Sequence, residues 1–187
     1  AHGFAGLGAY LAHLNVSPEE LGRLQQSFMI SVSSFFRDPE VFEELARALQ
    51  AVVAGKAAGE SVRVWVPACA TGEEVYSIAI VLAEALGERL GKLDARVFAT
   101  DIDEEALDLA RAGRYSAAEA SGLSPERLSR WFRSEGEGWR VSKALREMCV
   151  FSMHDLIGHP PLVRMDLVSC RNILIYFKPG RQAELLR

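Results

Sequence analysis

The sequence predicts an α/β protein with a Rossmann-like parallel sheet, preceded by short helices and interrupted by a small inserted subdomain with a hairpin. Three observations predict it. Val62 to Val66 is a β-branched and aromatic run broken only by Arg63, as suits a strand covered on both faces, and it stops at Pro67. A small-residue turn, Ala68 to Gly72, leads into a helical repeat of Ile78, Ala79, Val81, Leu82 and Leu86, and a second strand ends in Thr100-Asp101. Two later apolar runs also end in polar groups, at His154-Asp155 and at Cys170-Arg171-Asn172.

Taken in order, Leu7 to Leu14 reads as a short helix, and Asn15 to Glu20 as an N-cap with proline in the first turn of a second helix running to about Ile30. Met29 to Pro39 alternates polar and apolar residues, ends in Phe35, Phe36 and Arg37, and precedes a helix from Pro39 to about Ala54. Gly55 to Glu60 is a small-residue loop. The central unit follows, with its helix from Val75 to Leu90 and its second strand from Arg96 to Ala99. A further helix spans Asp103 to Ala112, with Ala106, Leu107, Leu109 and Ala110 facing inward. Residues 116–148 depart from the strand and helix alternation: Ser124-Pro125-Glu126 opens a short helix, and SEGEGW is a turn between two short runs. The sheet resumes at Met148 to Met153 and at Met165 to Ser169. If the segment after Asn172 is α-helical, Asn172 and Tyr176 share one face.

In an open α/β sheet a ligand lies outside the carboxyl ends of the strands, so Asp101, Asp155, Asn172 and the turn after Val66 should converge on one crevice. The turn lacks GxGxxG, and Glu73 and Glu74 at the helix start would repel a pyrophosphate. A ligand with a cationic amino-acid end and an adenosine end fits better, and S-adenosylmethionine is such a ligand, with Asp101 accepting the ribose hydroxyls. The two glutamates also suit a plain helix N-terminus. On these residues alone both readings stand.

Composition narrows the classes. A chain of 187 residues with 49% hydrophobic content and mean hydropathy +0.06 can hold one α/β domain with a small appendage. It has no uninterrupted apolar run near eighteen residues, and its start lacks the parts of a signal peptide, so a soluble, cytoplasmic protein without membrane insertion is expected. Net charge −4 gives no basic face for nucleic acid. Cys69, Cys149 and Cys170 have no CxxC spacing and the four histidines no ligand spacing, so neither a disulfide framework nor a metal site is expected. Of the histidines, His154 lies beside a strand-end acid.

Four stretches in one order carry a resemblance: SVSSFFRDPEVF, CATGEEVYSIAI, FATDIDEEALDLARAGRY and DLVSCRNILIYF. They resemble the chemotaxis receptor methyltransferases of the CheR family, which transfer methyl from S-adenosylmethionine to receptor glutamate side chains, and the likeness runs from about residue 20 to the end. The first stretch also resembles the CheR half of proteins fused to the receptor methylesterase. The resemblance implies the S-adenosylmethionine-dependent methyltransferase fold, with a helical N-terminal domain and linker over 1–50, the α/β domain over 51–187 and an inserted β-subdomain over 114–148 that some members dock on receptor tails. It implies cofactor contacts at Ser31, Ser33, Arg37, Glu73, Asp101, Asp155, Leu156, Arg171 and Asn172, with Arg37 and Tyr176 near the transferred methyl. The implied partner is the cytoplasmic domain of chemoreceptors, met by a monomer. Where the family often has asparagine and threonine this chain has Ser31 and Ser33, and where it commonly has glycine this chain has Ala68.

The implied chemistry is an in-line displacement by a carboxylate already ionised at neutral pH, since glutamate has a pKa of about 4.3, so no general base is required. Alignment and water exclusion then supply most of the acceleration, with Arg37 holding the acceptor carboxylate, Glu73 facing the methionyl ammonium and Tyr176 orienting the reactants. Two rivals stand beside it. A nicotinamide-dependent oxidoreductase is disfavoured by the missing glycines, and a non-catalytic CheR-like module that senses the cofactor or binds receptors is kept in view by Ser31 and Ser33.

Overall fold

The computed structural model describes residues 4, 6–28 and 33–185. Contacts divide the chain into two compact units, 1–32 and 33–187. In the first, α1 (Leu7–Leu14) and α2 (Pro18–Phe28) form as their patterns predict. The Ser17 hydroxyl accepts from the Glu20 N–H at 3.3 Å, which satisfies a free donor at the start of α2. Tyr10 donates to Glu20 at 3.3 Å, and Phe4 packs on Tyr10 with centroids 5.3 Å apart.

The second unit holds a four-stranded parallel sheet of β1 (Ser61–Pro67), β2 (Asp94–Asp101), β6 (Cys149–Met153) and β7 (Leu167–Val168) in the order β6-β2-β1-β7. Val62, Val64 and Val66 are buried to within 1% of full, as the unbroken apolar run requires. Helix α4 (Glu73–Leu86) is apolar on nearly every side and buried along its length, with Ile78, Ile80 and Leu82 fully enclosed. Each such side chain contributes about 1.5–3 kcal/mol on leaving water. Gly87 at φ 50° ends the helix, and one 3-10 turn (Gly87–Arg89) replaces the last turn expected up to Leu90. Helix α5 (Glu104–Ala112) starts under an Asp103 cap whose carboxylate accepts from the Glu105 and Ala106 N–H groups.

Helix α3 (Pro39–Ala54) belongs to this second unit. Phe42, Leu49 and Val53 join the main core, and α3 packs along α4. The boundary expected between 50 and 51 therefore falls inside a helix, and the contacts divide at 32/33. Strand β7 is shorter than its apolar run. Asp166 pins its entry, taking the Arg63 N–H at 2.9 Å and Lys56 at 2.7 Å, and Ser169 N–H reaches Trp65 O at 2.8 Å beyond its end.

The departure from the strand and helix alternation, expected over 116–148, begins two residues earlier. β3 (Arg114–Ser116), β4 (Phe132–Glu135) and β5 (Gly138–Val141) make an antiparallel sheet in the order β3-β5-β4, flanked by α6 (Pro125–Trp131) and α7 (Lys143–Met148). Ser124 and Ser142 cap the two helices. Tyr115, Phe132 and Val141 turn one sheet face into the core, while Arg114, Arg140 and Arg133 stand opposite one another in a row on the other face. After Asn172 a single 3-10 turn (Leu174–Tyr176) precedes α8 (Pro179–Leu185). Asn172 itself is left-handed at φ 60°, so the α-helical relation to Tyr176 does not form.

Candidate cofactor and acceptor site

The turn after β1 is built by its neighbours. Ala68, Ala70 and Gly72 all have positive φ, at 53°, 46° and 94°. Such a backbone is costly for alanine, so other contacts must hold it. Cys69 N–H donates to Thr100 O at 3.0 Å, and Ala70 N–H donates to Asp101 Oδ2 at 2.7 Å. The other oxygen of Asp101 accepts from Asp103 N–H at 3.0 Å. The strand-end acid therefore clamps the neighbouring strand's turn to its own exit. Gly72 is required for space as well as φ: an added Cβ would lie 2.9 Å from Ala110 Cβ. Cys69 is buried, and burial pushes its thiol far above the ordinary range, so it is a neutral packing group.

The two glutamates that open α4 part company. Glu73 is 4% exposed and takes the Thr71 hydroxyl at 2.7 Å. Glu74 turns toward the end of β7, where Ser169 donates to it at 2.8 Å and Arg171 lies at 3.5 Å. Burial raises the Glu74 pKa, against the Ser169 hydrogen bond and the Arg171 and Arg37 charges, which lower it. Sequence reasoning singled out Glu73 as a cofactor contact and gave Glu74 no separate place, whereas the structure gives the two carboxylates different surroundings. What separates them is the hydroxyl each one takes: Thr71, two residues away, for Glu73, and Ser169, a polar residue closing an apolar strand, for Glu74.

Residues 33–38 form a strap beside α4, beginning at half-buried Ser33. Phe36 N–H donates to Ser77 Oγ at 3.0 Å, and Ser77 donates onward to Glu73 O at 2.7 Å. The Arg127 guanidinium covers the Phe36 ring at 4.1 Å while gripping Glu84 with two hydrogen bonds at 3.0 and 2.8 Å. Arg171 ties the strap to the sheet, donating to Asp38 Oδ2 at 2.6 Å and to Arg37 O at 2.8 Å. Phe36 and Asp38 carry positive φ of 51° and 59°, which these anchors hold. Arg37 is exposed between them.

At the end of β6, His154 N–H donates to Asp101 O at 2.9 Å, which joins this exit to that of β2. Asp155 turns its carboxylate into its own loop, accepting the Ile157 N–H at 2.9 Å, and bonds to the Ile157 and Gly158 N–H groups hold its pKa below the usual carboxyl range. Leu156 is half-buried beside it. The structure thus gathers Asp101, Glu73, Arg171 and the strap with Arg37 along the carboxyl ends of the strands, with exposed Asn172 directly after Arg171 and Asp155 on a neighbouring loop. Ser31 and the Tyr176 side chain lie outside the described residues. Among the described residues no cluster of metal-ligating side chains occurs, and no helix is long and apolar enough to cross a membrane.

The residues fit S-adenosylmethionine. A zwitterionic amino-acid end needs an anion and a cation side by side, and Glu74 and Arg171 supply both next to the turn at 68–72, whose Ala68, Ala70 and Gly72 carry positive φ. Fold and site together define a cofactor-binding α/β domain of the methyltransferase kind. Residues 31–187 match the family described as CheR methyltransferase, SAM binding domain, and the chain belongs to that family. It is 40% identical over 183 residues to an uncharacterized 104.1 kDa protein of Rhodobacter capsulatus, covering 97% of this chain and 19% of that protein. To the chemotaxis protein methyltransferase of Salmonella typhimurium it is 39% identical over 195 residues, covering 100% of this chain and 65% of the relative. The corresponding figures for that of Escherichia coli are 38%, 99% and 65%. The chain therefore spans less than two thirds of the length of these relatives.

Proposed function

We propose that this chain is the cofactor-binding and catalytic part of a methyltransferase that esterifies glutamate side chains on the cytoplasmic domain of chemoreceptors, using S-adenosylmethionine. The observation that carries the reading is the mixed-charge cluster of Glu74, Arg171, Asp38 and Arg37 at the strand ends, beside the turn clamped by Asp101. Membership in the CheR family and the names of the Salmonella typhimurium and Escherichia coli relatives support it.

When bound, the cofactor supplies an electrophilic methyl group on a sulfonium. The chain's own work is placement. Glu74 faces the cationic end, the 68–72 turn receives the adenosine side, and Arg37, exposed on the strap where a protein substrate can reach it, holds the acceptor carboxylate. Glutamate is ionised well above its pKa of about 4.3, so no side chain needs to remove a proton. Tyr176, on the turn after Asn172, orients the reactants. Arg37 grips the ionised ground state, so its benefit must come from alignment. For the partner, the cross-strand row of Arg114, Arg140 and Arg133 offers a cationic face on the inserted sheet, with Glu135 as the acid beside it at 2.9 Å from Arg114. Like charges set directly opposite are costly to the sheet alone.

Incubation with methyl-labelled S-adenosylmethionine and a receptor cytoplasmic domain tests the reading. Label should enter the receptor and leave as methanol in mild base, the mark of a carboxyl ester. Base-stable label would refute esterification. Arg37→Ala should lose methyl transfer by about a hundredfold or more while S-adenosylhomocysteine still binds, and Arg37→Lys should recover little, because an ammonium lacks the planar fork.

A further inference from the structure

Tyr115 belongs to β3 of the inserted sheet, yet its hydroxyl leaves that sheet and donates to the Thr71 carbonyl in the turn after β1, at 2.8 Å. Thr71 in turn hydrogen-bonds Glu73 at 2.7 Å. The fit is close: a Cβ on Gly72 would lie 3.1 Å from the Tyr115 oxygen. On its other side the Tyr115 ring meets Phe35 of the strap edge-on, with centroids 4.8 Å apart, and Phe35 also meets Phe132 of β4 at 5.5 Å. Phe35 stands two residues before Arg37. One buried side chain, 5% exposed, thus touches the inserted sheet, the cofactor turn and the strap.

Packing explains the ring and not the hydroxyl. Phenylalanine would fill the same core space, whereas only the hydroxyl reaches Thr71. Burial and the Glu73 charge keep the phenol protonated, so it remains a donor throughout the neutral range. We propose that Tyr115 is a positioning residue through which the inserted three-stranded sheet sets the shape of the 68–72 turn and the seat of the Arg37 strap. The proposal rests on the functional reading above and deepens it by adding a residue of the inserted sheet to those that shape the cofactor turn.

The test uses the whole 187-residue chain. Tyr115→Phe should bind S-adenosylhomocysteine about five- to tenfold more weakly by calorimetry, and raise KM for S-adenosylmethionine by the same factor with kcat changed less than about twofold, as expected for one lost neutral hydrogen bond. Amide exchange should quicken at 69–73 and stay unchanged in the interior of α4. Tyr115→Leu, which also removes the ring edge against Phe35, should lower kcat in addition. Unchanged affinity with unchanged exchange in Tyr115→Phe would overturn the proposal, and so would exchange that quickens evenly through the domain, the sign of a merely structural role. A wild-type chain that failed to bind S-adenosylhomocysteine would instead defeat the functional reading, and the exchange pattern would still decide the link.

Discussion

Two aspartates end neighbouring parallel strands and do opposite things. Asp101, at the end of β2, reaches across to the turn after β1, taking Ala70 N–H at 2.7 Å. Asp155, at the end of β6, reaches back into its own loop, taking Ile157 N–H at 2.9 Å. In sequence each is an acid closing an apolar run. The difference lies in what their neighbours demand. The turn after β1 holds two alanines at positive φ and needs an outside partner to keep them there, while the loop after β6 closes on itself. A strand-end acid can thus build a site for another segment or merely finish its own.

That contrast makes the largest expected effect fall on Asp101→Asn. An amide can accept at one atom only and presents hydrogens to one of the two backbone donors it replaces, so the clamp on Ala70 and Asp103 is broken. With about 1.5–3 kcal/mol for each charge-assisted bond, a loss of about 2–4 kcal/mol in urea unfolding is expected, together with more than tenfold weaker S-adenosylhomocysteine binding. Stability within about 0.5 kcal/mol of wild type would mean that the turn holds itself.

Glu74 sharpens the comparison because it should lose affinity without losing stability. Its carboxyl pKa is raised by burial, so the folded state holds the proton more readily than the unfolded one. The sign follows: this group favours folding at low pH, and its contribution is lost as pH rises through the raised folded value. Glu74→Gln keeps a hydrogen-bonding group for Ser169 and removes the buried charge, while Arg171 retains Asp38 at 2.6 Å. Relative to wild type the variant should therefore gain stability between pH 4 and neutrality, and bind S-adenosylhomocysteine about tenfold more weakly at pH 7.5. Urea midpoints at pH 4 and pH 7.5 read the first expectation. A variant that loses ground as pH rises would contradict it.

Ala68→Gly tests the turn from the other direction. Alanine at φ 53° is strained by about 1–2 kcal/mol, and glycine relieves this while costing about 0.5–1 kcal/mol in unfolded-chain entropy. A net gain of about 0.5 kcal/mol is expected, read as a rise of about 1–2 °C in Tm for a domain of this size. A fall would show that the turn's partners favour the alanine side chain.

Much of this molecule was legible in its pattern. β1, the apolar α4, the helix under Asp103 and the antiparallel insertion follow from periodicity, caps and turn residues, which act locally. What escaped depends on contacts between distant segments. Helix α3 reads as amphipathic wherever it packs, so nothing in its residues says that it joins α4 and the sheet. Glu73 and Glu74 are adjacent and chemically identical, and what separates their surroundings includes Ser169, 95 residues beyond Glu74 in sequence. The left-handed Asn172 breaks the helical spacing to Tyr176. Asparagine tolerates that conformation readily, which is the sequence signal that could have shown it.

The smallest effect should come from Asp155→Asn, and its pH dependence distinguishes it from Asp101. Hydrogen bonds from the Ile157 and Gly158 N–H groups lower the Asp155 pKa, so its stabilising effect is complete above the ordinary aspartate value of about 3.9 and is lost as pH falls through the lower folded value. The loop is solvent-facing, with Ile157, Gly158 and His159 all exposed, so water readily replaces what the carboxylate supplies. Asparagine can still accept one N–H there, as it does in many such turns. Melting at pH 7 should show a smaller drop for Asp155→Asn than for Asp101→Asn, and the gap between wild type and Asp155→Asn should close as pH is lowered toward 3. If Asp155→Asn instead matched Asp101→Asn in both stability and S-adenosylhomocysteine affinity, Asp155 would have to act on the site itself, and the division between a clamping acid and a self-contained one would fail.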